Sequence, residues 1–321
     1  MAICPDANLV HAHSHLDRFA FRWEDGKRYV GGFVGCVDAL AAWMTPKVQN
    51  WADGVRILAK IAKRYPQMAY AVLAKSFQSE WQYLQRVVWD CGPSFADVEV
   101  ALCDEFYPAL FQQEEGMALD VSCKLLGPPV HAAGLGIPNP CNTAMGNFER
   151  SVKGTRELVG VLRRGGSFDV KAYSSSAWRL RLQLGLAQRE RELAQLELML
   201  ADYDPDTKRT LKRATEAGCW LTVMPNRLNG TDLGPDEFRD NLRLRYGLRP
   251  IRLPPKCNVA DCGADFTVTH ALNCKKGGLV ILHYNVGARE WHDLCSKALA
   301  PAAISDEPII HQGQETWVDA N

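Results

Sequence analysis

Four potential zinc ligands lie close together in the C-terminal part of the sequence. Cys257, Cys262, His270 and Cys274 have the spacing C-x4-C-x7-H-x3-C. Zinc binds thiolates and imidazoles tetrahedrally, and a first cysteine pair about two to four residues apart can close on one ion. Residues 251–278 offer little apolar sequence for a core, so a metal would supply their folding energy. The spacing predicts a small Zn²⁺-binding segment; the alternative is unrelated buried cysteines beside a capping histidine.

A second histidine-rich motif lies near the N-terminus. His11, His13 and His15 precede Asp17, and H-x-H followed by an acid is similar to the first metal motif of amidohydrolase-type hydrolases. Such sites need further ligands at the ends of later parallel strands. The chain has eight histidines in all and no strand–helix alternation. We therefore interpret this motif as a chance cluster and keep a metal-dependent hydrolase as an alternative function.

Other sequence motifs point away from catalysis. The glycine-rich stretch 133–137 has no preceding strand and is followed by Pro138, which makes it a weak candidate for a phosphate-binding loop. The sequence contains no aromatic-x-Asp-Asp motif, although two-metal polymerases need closely placed carboxylates. It also lacks a G-x-S-x-G nucleophile motif. We expect that this chain by itself is not a polymerase.

Positive charge is concentrated in the middle of a chain that is neutral overall, with 37 basic and 37 acidic residues. Residues 151–256 carry 20 Lys and Arg against 13 Asp and Glu, a net charge of +7. Basic residues contact phosphates without reading a base sequence, so we predict RNA or DNA binding here. The predicted binding residues are a cluster that shares one helical face and an adjacent pair: Lys208, Arg209, Lys212 and Arg213, and Arg163 and Arg164.

The alternative for this basic region is a solvated helical surface of mixed charge. Along residues 176–201, the acidic Glu190, Glu192 and Glu197 could pair with Arg189 and Arg191. Such pairing leaves residues 208–213 unneutralised. Only three acids lie near that cluster in the sequence: Asp204, Asp206 and Glu216.

Apolar periodicity predicts a mostly α-helical fold. Apolar residues recur at three- and four-residue steps from residue 38 to residue 110, with a break at Pro66. Residues 123–141 have the composition of a loop. Four further helices are predicted, one ending at Gly165, a long amphipathic one over 176–201, and short ones over 206–217 and 234–246.

Two short β elements are predicted beside the helices. Residues 19–34 have the alternation of a hairpin, with a turn at residues 24–27 that contains Asp25-Gly26. Residues 220–224 have the composition of a strand. The N-terminus has no signal peptide, no run of about 18 apolar residues occurs, and the eleven cysteines are scattered. These features predict an intracellular protein, nuclear or cytoplasmic, without a membrane partner.

Several strings, taken in order, resemble the C-terminal region of non-LTR-type retrotransposon reverse transcriptases. They are spread in order over nearly the whole chain, at residues 29–35, 80–88, 133–140, 221–225, 237–242 with 245–247, and 274–279. The sequence departs from that family at Ala133, where the family has glycine, and at Cys257-x4-Cys262, where the family has Cys-x-x-Cys. It departs again at residues 282–285, where the family has Arg-His-Asn.

The resemblance implies a non-catalytic, truncated piece of an RNA-directed DNA polymerase, with the catalytic palm before residue 1. It implies a helical thumb-like bundle that binds the template–primer duplex of RNA and DNA. The implied segments are a palm edge with the hairpin, the thumb-like region, a helical extension with a basic face, the zinc-knuckle-like segment and the start of an endonuclease-like domain: 1–35, 36–122, 123–250, 251–278 and 279–321. A helical protein-interaction module is a further alternative.

Overall fold

The computed structural model describes residues 24–113, 121–165, 167–277 and 279–298. These residues are mostly α-helical, with a short hairpin near the N-terminus and a Cys/His cluster near the C-terminus, which confirms the predicted fold class. The chain divides into two compact units between Leu248 and Arg249. No described helix is both long and apolar enough to cross a membrane. His11, His13 and His15 lie outside the described residues.

The hairpin is present, but its predicted turn is wrong. Strand β1 (Gly26–Tyr29) pairs antiparallel with β2 (Gly32–Gly35), so Gly26 lies within a strand. The turn is formed by Val30 and Gly31, whose φ angles are +44° and +80°. Both angles are left-handed, as two-residue hairpin turns require. The hydroxyl of Tyr83 donates to the Val30 carbonyl at 3.0 Å, so a contact distant in sequence holds this turn.

Most of the first unit consists of helices connected by short loops. The first part contains α1 (Val37–Ala62), α2 (Pro66–Val72), α3 (Gln78–Val87), α4 (Ala96–Val100), α5 (Tyr107–Phe111) and α6 (Cys123–Leu126). The remainder contains α7 (Pro140–Arg164), α8 (Val170–Leu200), α9 (Pro205–Glu216) and α10 (Pro235–Arg245). Segments of π-helix, 73–77 and 101–106, join α2 to α3 and α4 to α5.

The core of the first unit follows the predicted periodicity. The apolar positions of α1 are buried at three- and four-residue steps, namely Val48, Trp51, Val55, Leu58 and Ala62. Trp51 packs against Trp81 of α3 and Phe95, with ring centroids 6.3 and 6.1 Å apart. The apolar positions that predicted these helices therefore lie on helix faces that pack together in one core.

Two local predictions are wrong. Residues 220–224 form no strand; a 3-10 turn spans Cys219–Leu221, and the Thr222 amide donates to the Cys219 carbonyl at 2.9 Å. Helix α8 is not amphipathic along its length, because only Leu196 and Leu200, at its C-terminal end, are buried. Leucines two residues apart point to nearly opposite sides of a helix, so the run at 180, 182, 184 and 186 forms no single apolar face.

A buried loop, residues 127–139, connects α6 to α7 at the centre of the first unit. Its Ala132, Ala133, Leu135 and Ile137 are fully buried. Its amides are used internally; Gly134 donates to Pro129 and Gly136 to Pro128. The loop is therefore a structural element, with its amides unavailable for a phosphate-binding loop.

The carbonyl groups of this loop accept hydrogen bonds from distant helices. The hydroxyls of Tyr70, Tyr107 and Tyr246 donate to residues 135, 137 and 133 at 2.8, 3.1 and 2.9 Å. Burial raises the pKa of all three tyrosines, so each hydroxyl remains a protonated donor. A side-chain amide, Gln78, donates to the Gly136 carbonyl at 3.1 Å. These contacts join α2, α3, α5 and the C-terminal cap of α10 through one segment.

Two buried arginines of α10 donate to the ends of other helices. Arg239 donates to the carbonyls of residues 62 and 63, at the end of α1, at 2.7 Å each. Arg245 donates to the Ala214 carbonyl of α9 at 2.7 Å and to the Val130 carbonyl at 2.9 Å. A helix C-terminus carries partial negative charge, so a cation that donates to its last carbonyl groups stabilises it.

The second unit contains the predicted metal-binding segment and two helices, α11 (Val268–Asn273) and α12 (Leu279–Ala298). Among its described residues, only Cys257 and Cys274 are buried. The described part of this unit therefore has almost no apolar core of its own.

Candidate metal centre and basic surface

The chain around Cys257 and Cys262 forms a tight turn. Lys256 and Asp265 pair as an antiparallel bridge, and the Cys257 amide donates to the Ala264 carbonyl at 2.9 Å. Asp261 and Gly263 both have a φ of +60°, which reverses the chain on either side of Cys262. Local backbone geometry thus directs the two cysteine side chains toward the same point.

The other two potential ligands come from the helix that follows. Thr267 caps α11 by accepting a hydrogen bond from the His270 amide at 3.0 Å. The Phe266 ring packs edge-on against the His270 imidazole, with centroids 6.0 Å apart. Cys274 lies directly after α11, so one helical turn separates its thiol from the imidazole.

The four predicted side chains converge on one point. The Sγ atoms of Cys257 and Cys274 are 3.9 Å apart, as are those of Cys262 and Cys274. The Cys262 Sγ lies 3.4 Å from the His270 Nε2, and all four ligand atoms lie within 4.8 Å of one another. A disulfide needs sulfurs about 2.05 Å apart, so these thiols are not bonded to each other. This Cys3His group could bind a metal ion.

Hydrogen-bond donors surround the thiol of Cys274. The Gly277 amide, the Cys262 and Cys257 thiols and the Lys276 amide lower the pKa of Cys274 below the ordinary thiol value, against the opposing effect of desolvation. Gly277 packs closely here, because a Cβ would lie 2.5 Å from a methyl group of Val259 and the valine side chain would have to move. Lys276 also donates to the Asp261 carbonyl, which ties the two halves of the cluster together.

The predicted basic cluster lies on α9, as expected. Arg209, Lys212 and Arg213 are exposed on the side of α9 away from the buried Leu211 and Ala214, and the half-buried Lys208 lies at the edge of this surface. Asp204 caps the helix by accepting from the amides of residues 206 and 207. The helix is therefore held with its basic face outward.

Acidic partners lie closer to this cluster than the sequence indicated. Lys212 forms an ion pair of 3.0 Å with Glu197 of α8, and Arg209 pairs with Asp206 at 3.1 Å. In the alternative of a mixed-charge helix Glu197 would pair with Arg189 or Arg191, whereas in the structure it pairs with Lys212 of the neighbouring helix. Both observed pairs are exposed, so each contributes little free energy and can exchange for a phosphate. The Lys208 ammonium donates to the Ala201 carbonyl at the end of α8, at 2.9 Å.

The second predicted basic pair lies elsewhere. Arg163 and Arg164 are the last residues of α7, immediately before Gly165, which adopts the left-handed conformation of a helix C-cap. The Arg164 guanidinium donates to the Gly160 carbonyl of its own helix at 3.1 Å. No hydrogen bond or ion pair joins this pair to the α9 cluster among the residues described.

No protein-family model, curated protein or solved structure matches the chain. The resemblance to retrotransposon reverse transcriptases therefore stays a prediction that rests on short similar segments of the sequence. Several residues of those strings, including Tyr83, Leu135 and Tyr246, make the structural contacts described above.

Proposed function

We propose that the Cys3His cluster binds one Zn²⁺ ion. With Zn–S bonds of about 2.3 Å and Zn–N bonds of about 2.0–2.1 Å, a tetrahedron has edges of about 3.8 Å between sulfurs and about 3.5 Å between sulfur and nitrogen. The distances of 3.9 Å from the Cys274 sulfur to those of Cys257 and Cys262, and of 3.4 Å from the Cys262 sulfur to the His270 nitrogen, agree with these edges, and all other pairs of ligand atoms lie within 4.8 Å. Three thiolates and one imidazole are also the soft ligands that zinc prefers.

Purified protein is expected to contain about one zinc ion per chain, because the four ligands complete a closed tetrahedral site. Inductively coupled plasma mass spectrometry on unchelated protein measures this ratio. Cys295→Ser provides the control, because Cys295 lies on α12, outside the cluster. Zinc-free protein, or equal loss of zinc from the control and from Cys262→Ser, would contradict the assignment.

We further propose that the chain binds duplex RNA or DNA through the α9 face, without catalysis and without reading sequence. The observation that supports this function is the grouping of three exposed cations, Arg209, Lys212 and Arg213, on the side of α9 away from its buried residues, with Lys208 at the edge of this surface. Phosphates would displace the exposed carboxylates of Glu197 and Asp206 from their partners. The regional net charge of +7 favours the approach of a polyanion.

Replacing all four cations of α9 by glutamine is expected to weaken duplex binding and to flatten its salt dependence. Each phosphate contact contributes a slope of about 0.9 in the log–log plot of affinity against salt. Fluorescence anisotropy with an RNA–DNA hybrid at several salt concentrations measures both quantities. The control removes four exposed arginines from α7 and α8: Arg156, Arg179, Arg189 and Arg191, each changed to Gln.

The outcome distinguishes a binding surface from a general charge effect. Unchanged affinity and slope in the α9 variant would mean that its basic face is only solvated surface. An equal loss in the control variant would mean that affinity depends on net charge alone. Either result would refute the proposed α9 interface.

A helical protein-interaction module is the second candidate function. The observation that favours it is the exposed apolar character of α12, where Ile281, Tyr284 and Trp291 are 66%, 61% and 70% exposed. Contiguous exposed apolar side chains are typical of interaction surfaces. The absence of duplex binding by the unaltered protein would favour this function over the first.

A further inference from the structure

A cleft of about 610 Å³ lies between α7, α8 and the C-terminal half of α3. Its volume falls within the range of about 300–1,000 Å³ that small-molecule sites occupy. Two glycines widen it, because Gly154 of α7 and Gly185 of α8 have no atoms within 4 Å of the position where a Cβ would lie. The cleft shares no lining residue with the α9 cluster or the metal centre.

Three arginines from three different helices line this cleft: Arg86 of α3, Arg150 of α7 and Arg181 of α8. No Asp or Glu belongs to the described lining. Arg150 donates to the Gln188 side chain at 3.2 Å, and Arg86 donates to the Gln82 carbonyl at 3.1 Å. A guanidinium has several N–H donors in a planar fork, so each of these contacts uses only part of its capacity. The cleft therefore concentrates positive charge and donors without acids of its own.

The rest of the lining is apolar or neutral. Leu180 and Leu184 of α8 provide an apolar wall, and Asn147 and Ser151 of α7 add neutral polar groups. The Tyr173 ring also lines the cleft, and its hydroxyl donates to the Gly154 carbonyl at 3.3 Å. An aromatic ring and leucines suit the flat face of a base, whereas guanidinium forks suit phosphate oxygens.

We propose that this cleft binds a nucleotide, with its phosphate on the three arginines and its base against the wall of Leu180, Leu184 and Tyr173. Phosphate and base occur together in a free nucleoside triphosphate and in an unpaired residue of a nucleic-acid strand, so both sources fit the same chemistry. This site is separate from the proposed α9 interface and does not rest on it.

Blocking the cleft tests the proposal with little risk to the fold. Gly185→Glu places an acidic side chain in open space within the cleft and is expected to weaken nucleotide binding at least about tenfold, through repulsion of phosphate and loss of room. Gly146→Glu is the matched control, because Gly146 also lies on a helix with open space around its Cβ position but does not line the cleft. A second variant, Arg150→Gln with Arg181→Gln, removes two exposed cations without adding bulk.

Binding is measured by fluorescence anisotropy with two probes, a labelled single-stranded oligothymidylate and a fluorescent ATP analogue. Far-UV circular dichroism checks that each variant is folded. Loss of binding to either probe in Gly185→Glu and in the double variant, with binding kept in Gly146→Glu, supports the site and identifies the source of the nucleotide. The variant with the four α9 cations replaced by glutamine is expected to keep nucleotide binding. A failure of the proposed duplex interface is therefore distinguishable from a failure of the nucleotide site.

The proposal is overturned if the unaltered protein binds neither probe. It is also overturned if Gly185→Glu and the double variant both bind as tightly as the unaltered protein. An equal loss in Gly146→Glu would assign the effect to overall charge and would overturn it as well. If Gly185→Glu does not fold, the double variant decides the question.

Discussion

Cys274→Ser is expected to unfold residues 249–277 while leaving the helical first unit folded. Serine does not replace a thiolate ligand of zinc, and the described part of the second unit buries only Cys257 and Cys274. Apolar burial is therefore too small to hold this segment without the metal. Structural zinc sites contribute about 10–16 kcal/mol of binding free energy, which in such segments is also the folding free energy. The first unit has its own core.

Hydrogen–deuterium exchange measures this loss by segment. The amides of Cys257 and Phe266, which donate at 2.9 and 3.1 Å in the native structure, are expected to lose protection in Cys274→Ser and in chelator-treated protein. Cys295→Ser is expected to retain it. Native protection in Cys274→Ser would show that the segment folds without its metal ligands and would contradict the structural role assigned to zinc.

Gly134→Ala is expected to destabilise the first unit by more than about 3 kcal/mol or to prevent its folding. A Cβ at Gly134 would lie 1.9 Å from the Pro128 carbonyl oxygen and 2.5 Å from the Pro128 carbonyl carbon. Both atoms belong to the backbone of the buried loop, so no side-chain rotation relieves the overlap. Moving this loop would also break the hydrogen bonds from Tyr70, Tyr107 and Tyr246.

Urea denaturation followed by circular dichroism measures the free energy of unfolding. The control is Gly146→Ala on α7, where a Cβ meets nothing within 4 Å. Replacing glycine by alanine within a helix stabilises by about 0.5–1 kcal/mol, so this control is expected to change stability in the opposite direction. Equal unfolding free energies for the two variants would show that the buried loop moves to accommodate the methyl group at little cost in free energy, which would contradict the prediction.

Features that depend on neighbouring residues were predictable from the sequence. Helix α9 begins where Asp204 can cap it and Pro205 can start it, and α7 ends before Gly165, which adopts the left-handed conformation. The Cys3His cluster was predictable for the same reason. Its four ligands lie within 257–274, so a turn and one short helix suffice to bring them together.

Other features depended on residues far apart in the chain. The hairpin turn at Val30-Gly31 is held by Tyr83, which lies far away in the sequence. Two residue pairs that end in glycine, 25–26 and 30–31, could each form such a turn, and the sequence alone did not distinguish them. The pairing of Lys212 with Glu197 required α8 and α9 to lie side by side. The buried Arg239 and Arg245 look like surface residues in sequence, because their carbonyl acceptors lie on α1, α9 and the buried loop.

The sequence by itself determined most helices of the first unit, the ends of α7 and α9, and the convergence of four zinc-type ligands, because capping, periodicity and a short loop act within a few residues. Only the tertiary structure decided which cations pair with acids and at which glycines an added Cβ would overlap the backbone. It also decided that Arg86, Arg150 and Arg181 line one cleft. The physical reason is that packing of separate helices sets these distances. No spacing along the chain encodes the positions of side chains that lie on three different helices.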